Sequence, residues 1–308
     1  DVLRLWVSSV DYSQDVSISD GILKQVSDAY RRFRNTFRFL LGSLDDFADA
    51  EAAASFDALE PVDQYMMLRT AQLLEAVEKA YREYKFYQVY RVAYDFVNEL
   101  SAVYMDAAKD RLYSEAPGSV RRRAVQTVLL NILEVLVRVL APVLSFTCDE
   151  VWERYPPARR AAEGRPESVQ LAGWPAAADF APALPDAART AEVMDGFGAV
   201  LQVRDVVTKA LDDARTEKLI NKSQEAAVAV AAPAELLAVL RRYEPAVYEE
   251  LLIVAEVSFA EGAELAAEVS VAAGEKCPRC WNVRTLGGNA AHPDVCERCG
   301  DALDAIGA

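Results

Sequence analysis

Four cysteines stand in two pairs, Cys277-Pro278-Arg279-Cys280 and Cys296-Glu297-Arg298-Cys299-Gly300, with 15 residues between the pairs. Two CxxC turns at this separation can aim four thiolates at one ion, and sulfurs at about 2.3 Å complete the tetrahedral shell that zinc takes in structural sites. Four protein ligands leave no position for a water, so the predicted ion is structural rather than catalytic, one per chain. Gly300 suits a tight backbone after the second pair, because glycine tolerates positive φ. The competing readings are two disulfides, which a reducing compartment disfavours, and replacement of one thiolate by His292 from the intervening loop. The fifth cysteine, Cys148, lies beside Phe146 and Val151, where a free cysteine serves as a small apolar residue.

Little else in the chain can make or break bonds. His292 is the only histidine, so a triad, a dyad or a histidine-rich metal centre would have to use it. No GxGxxG or GxxxxGK[ST] phosphate loop occurs. Lys and Arg number 33 against 48 for Asp and Glu, a net charge of −15, which argues against a nonspecific polyanion binder. The basic residues are nevertheless grouped. Residues 24–38 hold five (Lys24, Arg31, Arg32, Arg34, Arg38) against one acidic residue, Asp28, and Arg121-Arg122-Arg123 makes a second group. A nucleic acid would have to dock on such patches in a set orientation.

These residues need elements to position them. At 308 residues and 52% hydrophobic content the chain can bury two or three folded units. No apolar run approaches the roughly 20 residues of a membrane span, and no secretory leader is visible, which predicts a cytoplasmic protein. The opening Asp1-Val2-Leu3-Arg4-Leu5-Trp6 has no initiator methionine and predicts a piece cut from something longer. Residues 2–8 read as an apolar strand, with 1–20 as the end of a preceding region. From 21 to 155 the pattern is helical. Ile22, Val26, Ala29, Phe33, Phe37, Leu40 and Leu44 share one helix face, with Arg31, Arg34 and Arg38 on another. An acidic, alanine-rich connector follows at 45–60, and Pro61 suits the first turn of a new helix. Stripes at 68–81 and 89–104, a helix from Ser119 to about Ala141, and an amphipathic segment carrying Val143, Phe146, Val151 and Trp152 complete an antiparallel bundle over 61–155. Tyr84, Tyr87 and Tyr90 read as core at helical spacing. Residues 156–189 are a Pro-, Ala- and Gly-rich connector. Residues 190–274 read as a small α/β unit, with a helix at 190–216, strands at 226–231, 251–259 and 265–272, and a helix near 233–244. Residues 275–308 are too few for a core of their own and need the metal as a staple.

Read together, several segments resemble isoleucine tRNA ligases of the bacterial type, members of the large aliphatic class I synthetases. Val2-Leu3-Arg4-Leu5-Trp6-Val7 with Asp11-Tyr12 is similar to the piece after their ATP-site signature loop. Tyr30-Arg31-Arg32-Phe33-Arg34-Asn35-Thr36-Phe37-Arg38 looks like the helix that enters their anticodon-binding domain. Lys109-Asp110-Arg111-Leu112-Tyr113, Arg122 to Leu129, Ala141-Pro142 and Asp149-Glu150-Val151-Trp152 continue in the expected order. These segments fit valine and isoleucine ligases alike. The tail, Glu275-Lys276-Cys277-Pro278-Arg279-Cys280-Trp281 with His292-Pro293 and the second CxxC, resembles the zinc domain of isoleucine ligases, whereas valine ligases typically end in a helical arm. One segment departs from the resemblance: in Lys218-Leu219-Ile220-Asn221-Lys222-Ser223-Gln224-Glu225-Ala226, Asn221 stands for a glycine and Gln224 for a leucine. Asn is the best substitute for Gly at positive φ, so the turn is expected to survive.

The resemblance implies a mainly α fold: an anticodon-binding helical bundle of the class I synthetases, a small α/β junction domain and a C-terminal zinc knuckle. It implies a parent enzyme that joins isoleucine to its tRNA with ATP and magnesium, with catalytic and editing domains outside this piece and no catalytic residues within it. The partners implied are tRNA and those domains of the same parent chain, with no membrane and no DNA. Arg31, Arg34, Asn35 and Arg38 become candidates for stem contacts, since stems are held through phosphates and 2′-hydroxyls. Trp281 either packs on the knuckle or offers a stacking face to an anticodon-loop base, with Arg279 and Arg284 supplying charge. Arg121, Arg122 and Arg123 are weaker candidates that salt bridges to surface carboxylates would also explain. The alternative class is a helical zinc-ribbon module that binds a protein and no RNA.

Overall fold

The chain enters its first helix, α1 (Val2–Ser9), directly at its N-terminus. An apolar run this short is compatible with strand or buried helix, and burial decides: Leu5 and Ser8 turn inward three residues apart while Leu3 and Val7 face out. The predicted strand at 2–8 is therefore a helix. Arg4 Nε and Nη2 donate to the carbonyls of Val143 (3.0 Å) and Pro142 (2.7 Å), fixing it in place. The computed structural model describes residues 1–47, 55–156, 160 and 164–307. The parts of the two predicted connectors at 48–54, 157–159 and 161–163 lie outside the described residues.

The described chain divides into two units. The first comprises Asp1–Leu59, Met66–Ala102 and Arg123–Leu184. Its second helix, α2 (Asp20–Ser43), starts where the Ser19 hydroxyl accepts the amide of Ile22, satisfying one of the free amides of the first turn. Val26, Ala29, Phe33, Phe37 and Leu40 form its buried stripe, as predicted. Next come α3 (Pro61–Arg82) and α4 (Phe86–Glu99), joined by a turn in which Tyr84 has φ 57°. Tyr84 is exposed there and Tyr90 is only partly buried against Tyr94, so the expected tyrosine core is not formed. The central helix α6 (Val120–Leu140) is buried nearly all round from Arg123 onward, as its run of Val, Leu and Ile requires. In α7 (Ser145–Glu153) Cys148, Val151 and Trp152 are buried, but Phe146 is 76% exposed and does not join the face assigned to it. Burial pushes the Cys148 thiol far above its ordinary range, which removes it from nucleophilic chemistry.

The second unit comprises Glu60–Tyr65, Val103–Arg122 and Pro185–Ala308. A π-helical turn, Leu100–Met105, leads from α4 into α5 (Asp106–Ser114). The long helix α8 (Ala187–Thr216) starts on an Asp186 cap and packs on a three-stranded sheet of order β2-β1-β3. In it β1 (Ala226–Ala232) runs parallel to β2 (Glu256–Glu261) and antiparallel to β3 (Ala266–Val271). The crossover holds two helices where one was expected, α9 (Ala234–Leu240) and α10 (Pro245–Leu252), because Pro245 opens a fresh first turn. The predicted strand at 251–259 begins only at 256: Leu251 and Leu252 end α10, and Ile253 at φ 57° turns the chain. A short hairpin, β4 (Glu275–Lys276) with β5 (Val283–Arg284), and helix α11 (Glu297–Ile306) complete the unit.

A buried ionic cluster anchors this unit. Arg111 on α5, fully buried, holds both Asp63 oxygens (2.7 and 2.9 Å) and the Glu250 carboxylate (2.6 Å), and Tyr104 donates to Asp63. Breaking such a pair leaves an uncompensated buried charge. Arg121 closes on Glu60, Glu115 and Glu250. Arg122 donates to the carbonyls of Leu112 and Pro117, and Arg123, nearly buried, to Gln126 and the carbonyl of Asp46. Arg121 thus takes the salt-bridge reading of its sequence, while Arg122 and Arg123 also close on carbonyl and amide oxygens of their own chain. Among the described residues, no helix is long and apolar enough to cross a membrane.

Candidate zinc centre and nucleic-acid interface

The first CxxC pair sits in the turn of the β4–β5 hairpin, and the second at the start of α11. Together they bring Cys277, Cys280, Cys296 and Cys299 to one point. All four are buried, and their sulfurs lie within 4.8 Å of one another. The Cys280 and Cys296 sulfurs are 3.8 Å apart. That equals the edge of a sulfur tetrahedron drawn about zinc with bonds of about 2.3 Å. No pair is joined as a disulfide. A hydrogen bond with Cys299, together with burial, pushes the Cys280 thiol up to about 12, and the same bond lowers Cys299, helped by Arg279. Four thiolates can share so small a volume only around a cation, and the donor set fits zinc. Bound there, zinc supplies folding free energy rather than reactivity. His292 is turned away, its Nε2 3.1 Å from Asp304 Oδ1, and the shell is all cysteine. Gly300 is required for a different reason from the one expected. It is helical, and a Cβ there would stand 2.5 Å from the Cβ of Asn289.

The knuckle presents Trp281 in the open. The residue is 54% exposed, its backbone lies at φ 66° with its amide N–H donating to the Cys277 carbonyl at 2.9 Å, and the ammonium groups of Lys222 and Lys276 lie 5.2 and 5.4 Å from the ring centre. An exposed indole with two cations close to its ring can offer a face to a base and charge to the neighbouring phosphates. The two arginines expected to supply that charge are otherwise engaged: Arg279 donates to the Ser114 carbonyl, and Arg284 pairs with Glu249 at 3.0 Å. Arg298 adds a two-pronged contact to Asp110. Lys222 was not visible as a partner of Trp281 in sequence, since nothing local links position 222 to 281. It lies in the segment that departs from the resemblance. There the left-handed conformation falls on Lys218 (φ 62°), not on Asn221, whose amide is instead bonded to Glu225 at 2.9 Å.

The other candidates sit on α2, in the first unit. Arg34, Asn35 and Arg38 line one side of a groove of about 420 Å³, with Thr147, Glu150 and Arg154 of α7 opposite. Arg34 is exposed and loosely held by the Tyr30 hydroxyl and Glu150, both at 3.5 Å. Arg38 and Asn35 are exposed, and no side-chain partner for either is found among the described residues. Arg31 is paired with Asp28 on its own helix, so of the three arginines it is the least free.

The family "Anticodon-binding domain of tRNA ligase" matches residues 63–230. The chain belongs to that family. A second family, "Zinc finger found in FPG and IleRS", matches residues 274–301, which include all four cysteines. An isoleucine–tRNA ligase of Halalkalibacterium halodurans is 40% identical over 98% of this chain and 33% of its own length. One of Bacillus cereus is 42% identical over 97% of the chain and 32% of its own length, and one of Desulforudis audaxviator is 40% identical over 99% and 33%. The chain therefore spans about a third of these relatives, and corresponds to their C-terminal part. An anticodon-binding helical region followed by a zinc finger is the arrangement that the resemblance implied.

Proposed function

We propose that this chain grips tRNA and reads its anticodon within a cytoplasmic isoleucine tRNA ligase, whose catalytic and editing domains belong to other parts of the parent protein. The observation that carries this reading is the order of two modules in one chain, an anticodon-binding domain and then a four-cysteine finger of the kind named for isoleucine ligases. In the division proposed, 21–155 forms the anticodon-binding domain, 190–274 the junction domain and 275–308 the zinc domain. Arg34 and Arg38, with Asn35 beside them and Arg31 secondary, hold phosphates and 2′-hydroxyls of a stem. Trp281 stacks on a base of the anticodon loop, with Lys222 and Lys276 meeting the neighbouring phosphates. Arg279 and Arg284 act at the same face by fixing the knuckle that carries the indole. The net charge of −15 does not oppose this, because charges are screened beyond about 8 Å at physiological salt and phosphate contacts are local.

Filter binding of the full chain to isoleucine tRNA and to an anticodon-swapped version tests the reading. Salt-sensitive binding that favours the isoleucine anticodon is expected. Equal binding to both would contradict anticodon reading, and no binding to either would leave a protein-interaction module as the better account.

A further inference from the structure

The wall of the α2 groove opposite Arg34 and Arg38 carries a third arginine and a carboxylate. Arg154 is at the C-terminal end of α7 with its side chain 66% exposed, and Glu150, one turn earlier, is within 2.8 Å of Arg154 and 3.5 Å of Arg34. The groove thus holds three guanidinium groups and one carboxylate, a local excess of positive charge in an acidic protein. Its two walls are joined where the Tyr30 hydroxyl of α2 meets the Thr147 hydroxyl of α7 at 3.0 Å, and Asp1 holds α7 from the N-terminus by accepting the amide and hydroxyl of Thr147 at 2.7 and 2.6 Å. The helices that carry the arginines are therefore held against each other.

We propose that Arg154 joins Arg34 and Arg38 in a clamp for the RNA phosphate backbone, and that Glu150 occupies Arg34 and Arg154 until a phosphate displaces it. This rests on the reading of α2 as an RNA-facing helix. A carboxylate and a phosphate compete for the same planar fork. The exposed pairs that Glu150 makes are weak, whereas a phosphodiester entering the groove also releases counterions. Glu150 keeps the guanidinium groups directed into the groove and at the same time lowers its affinity for any polyanion. A nucleic acid that engages only this groove is penalised, and one that also makes contacts elsewhere is not excluded.

The test is salt-dependent filter binding of isoleucine tRNA and an anticodon-swapped tRNA to the full chain and its variants. Arg154→Ala is expected to weaken both RNAs equally, severalfold, and to lower the salt slope by about one. Glu150→Gln is expected to tighten both by about two- to fivefold, the range for removing an exposed pair. In the Arg34→Ala/Arg154→Ala background Glu150→Gln should lose most of that effect, because neither arginine that Glu150 pairs with is left. If Glu150 only supports α7 through its pair with Arg154 four residues on, Glu150→Gln will leave binding unchanged or weaken it, with circular dichroism reporting the helix, and the proposal fails. Wild-type binding that Arg34→Ala weakens but Arg154→Ala does not would overturn this inference alone. No wild-type binding would overturn the functional reading along with it.

Discussion

On α2, Arg34 and Arg38 stand on the surface, the first loosely held and the second without a side-chain partner among the described residues. In the knuckle, Arg279, Arg284 and Arg298 each close on an oxygen of α5 or α10. The two regions use the same side chain for opposite ends. The difference lies in what surrounds each arginine: beside α2, Asp28 takes Arg31 and Glu150 reaches Arg34 only loosely, at 3.5 Å. The knuckle meets α5 and α10, which present Asp110 and Glu249. A guanidinium that is closed on by part-buried oxygens of its own chain becomes a fastener, and one held loosely at the surface or not at all is left to a ligand.

The largest expected effect falls on the knuckle side alone. Zinc in sites of this kind contributes apparent binding free energies of about 10–16 kcal/mol in small peptides, and the knuckle's own buried cluster is little more than its cysteines with Val295, Leu286 and Leu303. Cys299→Ser or a strong chelator should abolish stoichiometric zinc and expose residues 275–307 to protease while α2 stays resistant. A chain that holds no zinc when reduced and pure, or a tail indifferent to chelators, would contradict the site.

Next in size is Arg111→Ala. Sequence offers no sign that this arginine, in Lys109-Asp110-Arg111, differs from Arg38, yet its removal leaves buried Asp63 with no cation and only the Tyr104 hydroxyl, and Glu250 with Arg121 alone. A loss of about 3–5 kcal/mol is expected in denaturant unfolding, against no more than about 0.5 kcal/mol for Arg38→Ala. Equal losses would show that exposure does not separate the two classes of arginine.

Helix positions and the metal ligands were readable because periodicity and CxxC spacing are local properties. The buried faces of α2 and α4 and the four-cysteine cluster follow from them directly. Three kinds of feature were not readable. Short apolar runs, 2–8 and 251–254, carry no period long enough to separate strand from helix. The requirement for Gly300 comes from Asn289, eleven positions away, and not from its own backbone. The pairing of Trp281 with Lys222, and of Arg111 with Asp63 and Glu250, exists only once distant segments are folded together. For the same reason a count of basic residues found both 24–38 and 121–123 but could not say which was free.

The measurement that bears most directly on the division of labour compares Arg38→Ala with Trp281→Ala, zinc content verified, on isoleucine tRNA, its anticodon-swapped version and an acceptor minihelix. The account predicts that Arg38→Ala lowers affinity for both tRNAs equally, flattens the salt slope and leaves their ratio unchanged. Trp281→Ala should cost roughly 1–3 kcal/mol on isoleucine tRNA alone, collapse the ratio and leave the minihelix untouched. Equal losses on all three RNAs for Trp281→Ala, or a changed ratio for Arg38→Ala, would contradict it.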